Sequence, residues 1–155
     1  MQVSFFLTIT LISKILTIEL DMKPKLLTKS IKTSPSSKLL GNTIDIDIMM
    51  IHGNVYTSKI TFGDPTQSLD LILDTGSFHL WASGQYSVTK KYYKKDYSHH
   101  FISTNNRVSL KYVSGEIKGY EVEDTLKIGD ISKPFTWVLA DYLHFNHDVD
   151  FDGIL

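Results

Sequence analysis

From Thr43 onward the chain is a succession of short segments that alternate apolar and polar residues, and no stretch carries the 3.6-residue period of an amphipathic helix. Ile44-Asp-Ile-Asp-Ile48 alternates strictly, and residues 55–62 alternate until Gly63-Asp64-Pro65 breaks the run. That break reads as a hairpin turn leading into Leu69-Asp-Leu-Ile-Leu73. Residues 108–113, 117–122, 125–128 and 135–140 are further strand candidates. Such strands bury their apolar faces only by stacking sheets or closing a barrel, so an all-β domain with little helix is expected. At 155 residues and 42% hydrophobic content, the chain suffices for one such domain or for one lobe of something larger.

Composition removes several chemistries at once. With no cysteine there is no disulfide scaffold, zinc ribbon, iron–sulfur cluster or thiol nucleophile. A net charge of −1 lacks the basic footprint of a general nucleic-acid binder. Lys90-Lys-Tyr-Tyr-Lys-Lys-Asp-Tyr97 does interleave cations with aromatics, as single-strand binding platforms do, but reads more simply as a solvated loop tip, and no nucleic-acid partner is expected. His144 and His147 beside Asp148 and Asp150 converge on a metal only if carried on a helix, which the local sequence does not support; no metal and no cofactor are expected.

The first seventeen residues hold an apolar run from Val3 to Leu11 that Lys14 closes. Its length suits the apolar core of a signal peptide better than a membrane span, although no cation precedes it and no small-residue cleavage site follows. Residues 1–20 are therefore expected to be a signal peptide, with membrane attachment only if the segment is uncleaved. Lys23, Lys25, Lys29, Lys32 and Lys38 then occur without one acidic residue up to Asn42, so 21–48 reads as a basic linker or pro-segment and 49–155 as the folded lobe.

The most informative segment is Leu71-Ile-Leu-Asp-Thr-Gly-Ser77, an apolar strand ending in Asp74. An acid placed there is either expensively buried or stands at the mouth of a cleft. Gly76 allows a sharp turn that brings amides to the carboxylate, and Thr75 and Ser77 add hydroxyls. Alone, Asp-Thr-Gly is also ordinary turn chemistry.

Ordered blocks around it resemble the pepsin-like aspartic proteases. Residues 56–67, with Gly63-Asp-Pro65-Thr-Gln67, resemble the family's first hairpin; 71–81, LILDTGSFHLW, its catalytic loop; Lys111-Tyr112-Val-Ser-Gly115-Glu-Ile-Lys-Gly119 its flap; 124–129 the strand after the flap; and Phe151-Asp-Gly-Ile-Leu155 the start of its Phe-Asp-Gly-Ile-Leu-Gly-Leu stretch. The resemblance implies the N-terminal lobe of the pepsin-like fold, a double-psi barrel-like sheet, truncated at its C-terminus, and an aspartic endopeptidase that activates water with two carboxylates sharing one proton. It implies that Asp74 is one catalytic carboxylate, that Ser77 bonds its outer oxygen, that Thr75 grips a loop of the other lobe, and that Tyr112 and Gly115 belong to a flap over substrate. It further implies that the Trp81 indole N–H orients the Tyr112 hydroxyl and that Ile72 lines the cleft.

Val113 and Glu116 depart from the family's flap, as do Phe78 and His79 from its catalytic loop, which bears on specificity. No second Asp-Thr-Gly or Asp-Ser-Gly occurs in the sequence. A missing C-terminal lobe is thus an expected partner beside a peptide or protein substrate. The alternatives are a non-catalytic peptide-binding or inactive fragment, and a lobe that homodimerises as retroviral proteases do. The location implied is the secretory pathway, extracellular or vacuolar/lysosomal.

Overall fold

The computed structural model describes residues 5–11, 16–22, 46–51, 55–85, 91–146 and 150–155. Strands β1 (Phe5–Leu11) and β2 (Leu16–Met22) pair antiparallel as a sheet of their own. Residues 5–11 of the apolar run thus form a strand, and the lysines of 23–38 lie outside the described residues.

The remaining strands are β3 (Ile48–Ile51), β4 (Val55–Phe62), β5 (Gln67–Ile72), β6 (Trp81–Ser83), β7 (Ile102–Tyr112), β8 (Gly115–Ile128), β9 (Ile131–Phe145) and β10 (Gly153–Ile154). They form an eight-stranded sheet in the order β3-β4-β5-β10-β6-β9-β8-β7. It closes on itself where Thr61 and Phe62 of β4 pair with Lys127 and Leu126 of β8. The ring β4-β5-β10-β6-β9-β8 is a barrel, with β3 and β7 outside it. Closure removes the exposed backbone edges these strands would otherwise carry. Among the described residues there is no α-helix, only a short 3₁₀ turn at Lys95–Tyr97. No helix among them is long and apolar enough to cross a membrane.

Strand β10 defines the topology. It lies between β5 and β6, which are consecutive in the chain, running parallel to β5 and antiparallel to β6. The loop from β5 to β6 therefore arches over the end of β10, and that loop carries Asp74. Alternation along each strand supplies two apolar faces. Leu71, Ala82, Leu139 and Leu155 point into the barrel with Ile60, Phe62 and Trp137. Their neighbours Ile72, Trp81, Val138 and Ile154 point outward, under the β7–β8 hairpin, with Ile117 and Leu110. Those of them that are large, aliphatic and fully buried, such as Ile60, Leu71 and Ile117, each contribute roughly 1.5–3 kcal/mol. Having both faces covered explains why Leu71-Ile-Leu73 reads as a continuous apolar run.

Several elements differ from the sequence expectation. The candidates at 117–122 and 125–128 are one strand, β8, because Asp124 between them is buried and satisfied there. Its carboxylate accepts from the Tyr93 hydroxyl, from Ser98 Oγ at 3.0 Å and from the Thr125 amide at 2.7 Å. Strand β9 runs well past 135–140 at both ends, since its first residues pair with the end of β8, Ile131 with Ile128, and its last with the start, Phe145 with Gly115. The alternating segment from Ile44 is not a strand at Ile46 and Asp47; β3 starts at Ile48, while Ile46 packs on the barrel core. Residues 55–62 and the turn at Gly63, whose φ of 78° suits a residue without Cβ, are as expected.

Candidate active site

The backbone around Asp74 is held from both sides. On one flank the Leu73 amide donates to the Tyr56 carbonyl at 2.9 Å; on the other the Asp74 amide donates to the Leu155 carbonyl at 2.9 Å, and Leu155 returns a bond to Ile72 at 2.8 Å. The threaded strand thus extends by one residue to grip the loop. Beyond Asp74 the chain turns back: the Ser77 amide donates to the Asp74 carbonyl at 3.2 Å and the Gly76 amide to its Oδ1 at 2.9 Å. A Cβ on Gly76 would stand 3.3 Å from that same Oδ1, so glycine here lets the amide approach the carboxylate. Among the described residues no donor reaches Oδ2, and Asp74 is half-buried while Thr75, Phe78 and His79 are exposed. The carboxylate is fixed at one oxygen and open at the other.

The β7–β8 hairpin overhangs this loop, with Tyr112 and Gly115 paired across its turn. Tyr112 is half-buried, and its hydroxyl lies 3.5 Å from Ser77 Oγ. Ser77 Oγ itself donates to the His79 carbonyl at 3.3 Å, which leaves Tyr112 as the donor between the two hydroxyls. Burial pushes the Tyr112 phenol above its ordinary value; contacts from Ser77 and Trp81 oppose this, and the charge of Asp74 adds to it. It is a hydroxyl, not a phenolate, at neutral pH. Gly115 is obligatory, for a Cβ would lie 2.1 Å from the His144 carbonyl oxygen on β9. Val113, at the turn, is fully exposed.

Two expected hydrogen bonds, from Trp81 to Tyr112 and from Ser77 to Asp74, are absent among the described residues. The Trp81 indole N–H is near enough to Tyr112 to favour the ionised form, but it is buried without a hydrogen-bond partner, so it does not orient the phenol by a hydrogen bond. Ser77 bonds His79 and Tyr112 instead of Asp74. Ile72 packs into the outer apolar cluster beside Trp81 and Ile154. Trp81 acts through its ring, which stacks on Phe145 at 6.3 Å and meets Phe151 edge-on at 6.2 Å.

Two supporting residues, Asp152 and Gln67, belong to quoted motifs but have partners that the sequence does not show. Asp152, buried just before β10, accepts the Asp70 amide at 2.9 Å and the Lys91 amide at 3.1 Å, anchoring the threaded strand to β5. Lys91 closes the group with a 2.8 Å ion pair to Asp70. Gln67 holds the backbone of Lys94 at both ends, accepting from its amide at 2.8 Å and donating to its carbonyl at 3.0 Å. Gln67 belongs to the quoted hairpin motif, so only its partner was illegible. No group of three or more metal-ligating side chains converges among the described residues.

A barrel whose threaded strand pins an Asp-Thr-Gly loop beneath a tyrosine-bearing hairpin has the architecture of one pepsin-like lobe. Sequence comparison agrees: the model of the eukaryotic aspartyl protease family matches residues 55–155, and the chain belongs to that family. It is 33% identical over 109 residues to pregnancy-associated glycoprotein 6 of Ovis aries, covering 65% of this chain and 28% of that protein. Pepsin A-5 of Mus musculus gives the same identity and coverage. Vacuolar protease A of Aspergillus fumigatus is 35% identical over 81 residues, 49% of this chain and 20% of that protein. The matched part of the chain therefore spans less than a third of these relatives' length.

Proposed function

We propose that this chain supplies Asp74 as one of the two carboxylates of an aspartic endopeptidase acting on peptide or protein substrates. The observation that carries the reading is the loop geometry: Asp74 is pinned through its own amide to Leu155 and through Oδ1 to Gly76, with Oδ2 open beneath Tyr112. A carboxylate so placed can take a proton from water while a second carboxyl, about 3 Å away, protonates the scissile carbonyl, because two such groups cannot both ionise. The product is a tetrahedral intermediate with no acyl-enzyme. Tyr112, a neutral phenol beside Ser77, overhangs the site and shields the reacting water from bulk solvent. The second carboxylate comes from a second lobe, since the sequence holds one Asp-Thr-Gly only. Thr75, exposed here, is the residue on this lobe available to grip the partner loop. The apolar N-terminal run and the vacuolar relative support a secretory or vacuolar location.

The test is to read the transcript beyond the Leu155 codon and assay its product. An in-frame second Asp-Thr-Gly or Asp-Ser-Gly, with acid peptide hydrolysis that is lost in Asp74→Asn and blocked by a peptide bearing a tetrahedral hydroxyl at the scissile position, is the expected result. Hydrolysis by the 155-residue chain rising with the square of its concentration assigns the second carboxylate to another copy. Peptide binding without hydrolysis in any form of the protein replaces the enzyme with a binding module.

A further inference from the structure

The lysine- and tyrosine-rich segment before Tyr97 braces the barrel through Lys91 and Lys94, but none of its described side chains contacts Asp74. Strand β6 antiparallel to β10 runs from Trp81, beside the Asp74 loop, to Ser83, whose amide bonds the Asp152 carbonyl at the other end of β10. The segment packs at that remote end, where the Tyr93 amide donates to the Ser83 carbonyl. A cavity of about 430 Å³ opens there, within the size range of small-ligand and peptide side-chain pockets. Gly84, Leu139, Tyr92, Tyr97 and Tyr120 are among the residues that line it.

We propose that this cavity is a second binding site, for an acidic peptide segment that places a carboxylate against Lys94 and an apolar or aromatic side chain among the tyrosines. Lys94 is built for the purpose. Its amide and carbonyl are both held by Gln67, so the backbone is fixed while the side chain is spared. Its ammonium rests over two rings, 5.5 Å from the centroid of Tyr92 and 5.4 Å from that of Tyr97. No carboxylate among the described residues pairs with it. An ammonium held by π faces alone keeps its N–H donors for an anion.

The rim distinguishes among anions. Asp141 is neutralised by Arg107 at 2.5 Å, and that guanidinium covers one face of Tyr120 at 4.3 Å. Asp96 also borders the cavity, exposed. With Asp141 paired, Asp96 is set against Lys94 and Lys95 on the lining, a nearly balanced charge that suits a single carboxylate flanked by apolar groups better than a continuous polyanion such as a nucleic-acid backbone. The site is separate from Asp74 and does not depend on catalysis there.

The experiment is fluorescence anisotropy with a labelled Ac-Glu-Phe-Glu-Phe amide on the Asp74→Asn chain, so that the probe is not consumed. Saturable binding is expected, weakened by added salt and lowered about tenfold in Lys94→Met, which keeps the side-chain stem but loses the charge. Tyr97→Ala weakens it as well, and a Gln-Phe-Gln-Phe probe binds more weakly than the acidic one. Unchanged affinity in Lys94→Met, equal binding of the Gln probe, insensitivity to salt in the unaltered chain, or tighter binding of an oligothymidylate each overturns the proposal. The salt and probe comparisons need no variant to fold.

Discussion

The Ser77 hydroxyl and the Tyr112 phenol lie 3.5 Å apart, so a single polar contact couples the loop carrying Asp74 to the hairpin that overhangs it. The contact joins two elements that share no backbone pairing. Its strength is modest, so the contact yields to a small displacement of the hairpin.

That coupling is readable by titration. Burial raises the Tyr112 phenol, Asp74's charge raises it further, and the Ser77 contact lowers it. Asp74→Asn therefore moves the transition down, toward the ordinary tyrosine value near 10, and Ser77→Ala moves it up. Phenolate absorbance of the two variants, differenced against Tyr112→Phe, checks both signs; shifts in one common direction would remove the electrostatic link.

Gly153 and Gly76 separate folding from site geometry. A Cβ on Gly153 would lie 2.1 Å from the Trp81 carbonyl oxygen, a backbone atom in the middle of the barrel wall. Gly153→Ala is expected to cost at least about 1–3 kcal/mol or to prevent folding. Gly76→Ala brings its Cβ only 3.3 Å from the Asp74 Oδ1, and leaves thermal stability nearly intact while turning the carboxylate. Paired melting curves decide the matter.

Asp152 gives the fold a pH dependence of predictable sign. Burial raises its carboxyl above the usual range, while the amides of Asp70 and Lys91 and the charge of Lys91 pull the other way. The folded state holds the proton more tightly than the unfolded one. This contribution to stability is complete below the unfolded value near 4 and is lost as pH rises through the folded one. Asp152→Asn should flatten that decline, and should lower the melting temperature throughout because its NH₂ faces one of the two amides. The amide left unpaired costs about 1–3 kcal/mol. Melts between acid and neutral pH test slope and offset separately.

Lys91 offers a contrast. Its ammonium, 56% exposed, pairs with Asp70 at 2.8 Å. Solvent screens such a pair, so Lys91→Met should cost no more than about 1 kcal/mol, and added salt should erase the difference. A loss comparable to that of Asp152→Asn would show that the lysine, not the backbone amides, holds β10 in place.

The strands were legible where one face alternates, as in β4, and the Asp74 loop was legible from its apolar run and its Gly76 turn. Strand β7 was missed over residues 102–107 because nearly every side chain there is exposed, leaving no apolar face to read. The break between the candidates at 117–122 and 125–128 falls at Asp124, whose partners Tyr93 and Ser98 come from a distant loop, and sequence pattern does not show that a buried acid is satisfied. The threading of β10 was suggested by the Phe-Asp-Gly-Ile-Leu motif, but its grip on Asp74 is a pairing between residues far apart in the chain. Ser77 was assigned to Asp74 when its hydroxyl in fact reaches Tyr112, a choice between two nearby oxygens that only three-dimensional placement resolves.

Strand β10 also sets a clock on biosynthesis. Asp152 and its partner on β5, Asp70, are separated by 82 positions. At roughly 5–20 residues per second, a ribosome takes about 4–16 s to deliver β10 after β5 has emerged. Throughout that interval the slot between β5 and β6 stands empty, and the nascent chain presents two unpaired strand edges to whatever is nearby. Among the described strands β10 comes last in the chain and is the one that shuts the wall, so the open edges of β5 and β6 are the places where pairing with another chain would begin in that interval.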